Sequence, residues 1–251
     1  EDKMKRIILS LTLLVIVLTS GAQERKVQNR PYTDLRNFHF GVLVGTHLQD
    51  IELNNVGPQM IDLEDGAGPV EKTVSADQDR WDAGFTVGVL GELRLNQTLQ
   101  LRIAPAMYFG TRHLTFRNLT DLNSLSEPTE QVQEMKTAYV SCAFDIIAAA
   151  PRFNNHRPYV MLGLNPMMNL SGKDNDYLKL KKSDFFLEVG LGCDFYLPYF
   201  KLRPELKFMY SLTNSLDKNH SKNLRDKHML MYTNAVNESR TKMIALTFYF
   251  E

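Results

Sequence analysis

Phe200-Lys201-Leu202-Arg203-Pro204-Glu205-Leu206-Lys207-Phe208-Met209-Tyr210-Ser211-Leu212 is the stretch on which the fold turns. In an extended chain Phe200, Leu202, Leu206, Phe208, Tyr210 and Leu212 share one side, and Lys201, Arg203, Glu205 and Lys207 share the other. Alternation with period two predicts a β-strand with two unlike faces. It does not say which face meets water. In a soluble sandwich the charged row lies outside and the apolar row makes the core. In a small membrane barrel the sides are exchanged, so the apolar row meets lipid and the charged row points inward.

Seven further stretches alternate in the same way. Their apolar rows begin with Phe38, Phe40, Val42, Val44 and Leu48, then Ala83, Phe85, Val87, Val89 and Leu93, then Leu99, Leu101, Ile103, Met107 and Phe109. Val140, Cys142, Phe144 and Ile146 follow, then Val160, Leu162, Leu164 and Met168, then Phe185, Leu187, Val189, Leu191, Cys193 and Phe195. The last row is Ile244, Leu246, Phe248 and Phe250. The connections alternate as well. Leu95–Thr98, Phe153–His156 and Leu197–Tyr199 are short, whereas Asp50–Arg80, Arg117–Gln131, Ser171–Ser183 and Thr213–Glu238 are long. A sandwich has no reason to put every long loop at one end. An outer-membrane barrel does, with short periplasmic turns and long extracellular loops. The expectation is an all-β fold, an eight-stranded antiparallel up-and-down outer-membrane β-barrel with long extracellular loops.

The flanks agree with that reading. Lys3, Lys5 and Arg6 precede the apolar run Ile7–Leu18, and Ser20 and Ala22 stand at −3 and −1 of a cut before Gln23, the pattern of a secretory signal peptide. Residues 1–22 are therefore expected to be an address, residues 23–35 a periplasmic segment and residues 36–251 the barrel. The last strand ends in Phe248-Tyr249-Phe250, the aromatic finish that outer-membrane barrels usually present for insertion, with Glu251 as a departure. Lysine plus arginine and aspartate plus glutamate both number 29, so the formal charge is zero, which argues against nucleic acid as a partner.

With odd strands running outward, the charged positions gather near one end. Glu92, Arg94, Arg102, Asp145, Glu188, Asp194, Lys201, Arg203, Glu205 and Lys207 are expected to form an ion-pair network that fills the lumen and leaves no through-pore. Tyr32, Phe38, Phe40, Trp81, Phe109, Phe116, Tyr159, Phe185, Phe200, Tyr249 and Phe250 lie mostly near strand ends, as aromatic girdles do. Cys142 and Cys193 fall on apolar rows of strands that are not neighbours, so two free lipid-facing thiols are expected. No spacing marks a catalytic group, a metal site or a cofactor loop, so the chain is expected to be no enzyme and to carry no metal or cofactor. The acidic loop holding Asp62, Glu64, Asp65, Glu71, Asp77 and Asp79 fits no standard Ca²⁺ loop. The basic loop holding Lys218, His220, Lys222, Arg225, Lys227 and His228 reads as a solvated face or as a contact for lipopolysaccharide.

The opening Asn29-Arg30-Pro31-Tyr32-Thr33-Asp34-Leu35-Arg36-Asn37-Phe38-His39-Phe40-Gly41, continuing through Gly45-Thr46-His47-Leu48-Gln49-Asp50, resembles the start of the PorT family, outer-membrane barrels of the type IX, or Por, secretion system. That resemblance implies a part in exporting cargo proteins to the cell surface. It also implies partners among the other secretion components of the outer membrane and periplasm, besides membrane lipid and lipopolysaccharide. A folded cargo cannot pass a narrow charged lumen, so an accessory or assembly role is expected. Arg25, Lys26, Arg30 and Tyr32 are the expected docking residues of the periplasmic segment. The alternatives are an enzyme that modifies lipid or lipopolysaccharide, and a surface adhesin or ligand-binding barrel.

Overall fold

A computed structural model describes residues 29–62, 68–125, 127–172, 176–220 and 229–251. The leader 1–22, together with Arg25 and Lys26, lies outside the described residues. Among the described residues ten strands form one antiparallel sheet: β1 (Phe38–Asn55), β2 (Pro58–Ile61), β3 (Val70–Asp77), β4 (Asp82–Arg94), β5 (Leu99–Leu122), β6 (Pro128–Ala149), β7 (His156–Asn169), β8 (Ser183–Tyr196), β9 (Lys201–Ser211) and β10 (Val236–Phe250). Eight of them close a ring in the order β1, β4, β5, β6, β7, β8, β9, β10, with β10 paired back to β1 from Val42 opposite Phe250 to Asn55 opposite Val236. Closure removes the sheet edges that an open barrel wall would leave unpaired.

The rows face as a membrane barrel requires. Val42, Leu162, Phe208 and Leu191 are 52%, 54%, 52% and 61% exposed, whereas Glu92, Arg102 and Arg203 are fully buried. Thus the greasy stripe is outside and the charges are inside. At about 3.3 Å per residue and a tilt near 40°, a strand the length of β7 rises roughly 30 Å, enough to cross the hydrocarbon layer. Cys142 and Cys193 are free and partly exposed on the outer wall.

The two ends differ. Short turns join β4 to β5, β6 to β7, and β8 to β9 at one end. At the other end the wall continues well past the level at which β7, β8 and β9 stop. β5 and β6 have 24 and 22 residues, so the stretch Arg117–Gln131, expected to be a loop, is mostly strand. The expected loop Asp50–Arg80 contains the hairpin β2–β3, and β3 adds to the upper half of β5 from Val74 opposite Asn118 to Asp77 opposite Thr115. These extensions were not legible as strands because the apolar row is short and turns inward here, while the outward row is polar where no lipid bathes it. A second core fills the space inside this raised wall. Ile51, Val74, Ala76, Leu114, Phe116 and Met135 of the wall pack against Leu178, Leu180, Leu216 and the short helix α1 (Leu230–Thr233) from the remaining loops. Phe116, Tyr177 and Tyr232 meet edge to face or tilted at its centre, with centroids 4.9–5.6 Å apart. Of the residues expected in girdles, Phe116 is buried in this core, and Tyr159 and Tyr249 point into the lumen; Phe38, Phe40, Trp81, Phe185 and Phe200 do face outward.

Candidate functional site

The lumen is filled in layers. Nearest the short-turn end lies the charge network. Arg203, at the foot of β9, is its hub. Its guanidinium donates through Nε to Asp194 Oδ1 at 2.5 Å and through Nη2 to Glu92 Oε1 at 3.2 Å, and it stacks 5.1 Å over the Tyr159 ring. Arg102 of β5 donates to Glu205 Oε2 at 2.8 Å, lies 3.5 Å from Glu92 Oε2 and rests 4.3 Å above the Tyr249 ring. Tyr159 and Tyr249 donate their hydroxyls to the two oxygens of Glu205 at 2.6 and 2.9 Å. Lys207 donates to Glu188 at 3.3 Å, and Asn165 holds the other Glu188 oxygen. Asp145 approaches Arg102 at 3.8 Å and lies on the bare backbone of Gly163, where a methyl group would collide with it. The charges come from β4, β5, β6, β8 and β9; pairs such as Asp194–Arg203 and Glu188–Lys207 join neighbouring strands, whereas Arg203–Glu92 and Arg102–Glu205 reach across the lumen and form only when the ring has closed.

Nine of the ten residues expected in this network are buried at this level, and they touch as ion pairs or hydrogen-bonded neighbours. Arg94 is the exception. It shares the inward side of β4, but it stands at the strand end, and its guanidinium bonds the Asn96 carbonyl of the adjoining turn. Conversely, Glu251 belongs to the network. Its carboxylate turns inward to Lys201, lies 3.4 Å from Arg203 Nη1 and 3.6 Å from His39 Nδ1. Parity was the available signal, because Glu251 continues the inward row Thr247, Tyr249.

Above the charges sits an apolar layer of Leu43, Leu90, Tyr108, Tyr139, Met167, Phe186, Met209, Met243 and their small neighbours. A polar belt follows, in which Arg112 donates to Gln49 at 3.1 Å and Thr241 at 3.2 Å, and His47 pairs with Thr86 at 3.0 Å. At the same end Asp184 accepts from Ser211 and Thr213 at 2.6 and 2.5 Å and from Ser215; none of these bonds includes a histidine. The upper core closes the top. Side chains thus occupy the described lumen from end to end, as an eight-stranded ring allows. Among the described residues no group of three or more His, Cys, Asp and Glu side chains is gathered for a metal.

The short-turn end carries a strap. Residues 29–36 run from the foot of β8 and the β6–β7 turn to the start of β1, which stands opposite β7 in the ring. The clamp is Arg152. It donates to the carbonyl oxygens of Arg30 at 3.1 Å, Asn29 and Asn154, and stacks 3.6 Å over Tyr196. Asp34 accepts from the Tyr196 hydroxyl at 2.5 Å and pairs with Arg152 and Arg157 at 3.5 and 3.8 Å. Arg30, one of the expected docking residues, donates its guanidinium to the Glu251 carbonyl at 2.9 Å. Tyr32 is 75% exposed, on a single 3-10 turn.

Residues 22–217 match the model of a family described as outer membrane protein beta-barrel domain. No curated protein matches the chain. Among solved structures, the chain is similar to the outer membrane protein OprG of Pseudomonas aeruginosa, at 11% identity, a TM-score of 0.46, and coverage of 90% of this chain and 97% of that one. It is also similar to Neisserial surface protein A, at 12% identity, a TM-score of 0.41, and coverage of 85% and 98%. The Ail protein of Yersinia pestis gives 11% identity, a TM-score of 0.38, and coverage of 86% and 99%. On the family match, which takes in most of the ring, the chain belongs to the outer membrane protein beta-barrel domain family and is a protein of the outer membrane.

Proposed function

We propose that this barrel is a PorT-type accessory of the type IX secretion system, which assembles or holds other secretion components and is neither the conduit nor an enzyme. In this reading the short-turn end and both chain ends face the periplasm, and the raised wall faces the cell exterior. The observation that carries it is the behaviour of the opening Asn29–Asp50. The residues that resemble the PorT start are not a loose tail: they form the strap across the mouth and the larger part of β1, Phe38 to Asp50. The filled lumen supports an accessory over a channel, since it leaves no path for a polypeptide.

Deleting the gene in a cell that exports cargo by this route tests the reading. Cargo is expected to accumulate in the periplasm and to disappear from the surface and medium, and a plasmid copy is expected to restore it. Full export in the deletion strain would overturn the proposal. One feature favours a second reading, a surface adhesin or ligand-binding barrel: the raised wall has its own apolar core, against which the described loop residues Leu178, Leu180, Leu216 and Tyr232 pack. That reading expects normal export in the deletion strain and loss of surface binding when the β2–β3 hairpin is removed.

A further inference from the structure

Resting on the periplasmic placement of the strap, we propose that Tyr32, Leu35 and Arg36 form a docking knob for an acidic surface of a periplasmic protein. The backbone of the knob is already ordered. Leu35 N–H donates to the Tyr32 carbonyl at 3.2 Å and Arg36 N–H to the Thr33 carbonyl at 3.1 Å, while Asp34 between them is held down by Tyr196, Arg152 and Arg157. Two apolar side chains are left pointing away from the barrel, Tyr32 and Leu35 at 75% and 63% exposure. Because the strap crosses the mouth from one side of the ring to the other, these side chains lie over the lumen and inside the circle of lipid-facing aromatics. A headgroup girdle belongs at the rim of that circle, so the position favours a protein over the membrane.

Charge names the kind of partner. The short turns 95–98, 150–155 and 197–200 contain no aspartate or glutamate. Among the described residues, the carboxylates at this end are turned inward, Asp34 into the strap clamp and Glu92, Asp194 and Glu251 into the lumen network. Arg36 is exposed and Arg94 is half-buried beside it, with the Arg94 N–H bonded to the Asn37 carbonyl at 2.9 Å. Among the described residues, the face therefore offers two apolar anchors flanked by the cations Arg36 and Arg94, with no outward carboxylate beside them. Such a surface steers and holds an acidic partner and repels a basic one.

The test uses the full-length protein in its own outer membrane, with a photo-crosslinking residue at Leu35. The expected result is a crosslink to one protein, identified by mass spectrometry and carrying an acidic patch at the linked site. Arg36→Glu with Arg94→Glu should weaken that crosslink about tenfold or more, with the amount of folded barrel unchanged. Reversing the partner's acidic residues to lysine should restore it. Crosslinking to phospholipid alone, no crosslink, or a protein crosslink indifferent to charge reversal would each overturn the proposal. The secretion reading is separable. If the charge-dependent crosslink holds while the deletion strain exports normally, the docking knob stands and the secretion role falls. If export fails but no such crosslink forms, the secretion role stands and the knob falls.

Discussion

Replacing Arg203 with alanine is expected to cost the barrel about 3–5 kcal/mol, the range for removing one partner from a buried charge cluster. Arg203 is fully buried and faces Asp194, Glu92 and Glu251 at once. Without it three carboxylates of three strands are left in a lumen from which side chains exclude water, and their mutual repulsion acts across the closure of the ring. The loss is large against the roughly 5–15 kcal/mol that a domain of ordinary stability has in hand. Urea titration of the protein refolded into lipid vesicles, read by the heat-sensitive gel shift of a closed barrel, measures it. Arg203→Met combined with Glu92→Gln and Asp194→Asn removes the repulsion together with the cation and should recover most of the stability. A urea midpoint unchanged by Arg203→Ala would show that the network bears no stabilising role.

Leu162→Arg is expected to destabilise the barrel by about 2–4 kcal/mol, the penalty for a cation near the midplane of a lipid-facing strand. Leu162 lies in the middle of β7 and is 54% exposed. If water bathed it, the substitution would be nearly neutral, because surface changes away from special features stay within about 0.5 kcal/mol. The same arginine at Met60 of β2, 67% exposed on the raised wall, should cost almost nothing. The contrast between two similarly exposed positions isolates the medium from the local packing. Equal and small effects at both would place Leu162 in water.

Period-two alternation is legible only where the two faces meet different media. In Phe200–Leu212 one side meets lipid and the other a charged lumen, so the rows separate cleanly and the facing of Arg203 and Lys207 follows from parity. In Thr129-Glu130-Gln131-Val132-Gln133-Glu134 both sides are mostly polar, because this part of β6 stands above the membrane level, and the strand reads as a loop. Position along the strand misleads in another way. Tyr159 and Tyr249 lie near strand ends, which suggests a girdle, yet parity sends them inward to Glu205. Arg94 has the right parity, but a strand-end arginine reaches a turn carbonyl more easily than a distant carboxylate. The strap left no periodic trace. Its clamp joins Asp34 to Arg152, Arg157 and Tyr196, which lie 118 or more residues further along the chain and meet it only in the folded barrel.

Nitroxide labels read by oxygen and nickel-chelate collision test the central claim most directly. With Cys142 and Cys193 replaced by alanine, single labels are placed at Leu162, Val189 and Phe208 on the outer row and at Ala104 and Ala245 on the inner row, in protein reconstituted into bilayers. Outer labels meeting oxygen and not the nickel chelate, with inner labels shielded from both, is the predicted result. Nickel collisions at Leu162, Val189 and Phe208 would contradict it, as would free nickel access to Ala104 and Ala245 from an open channel.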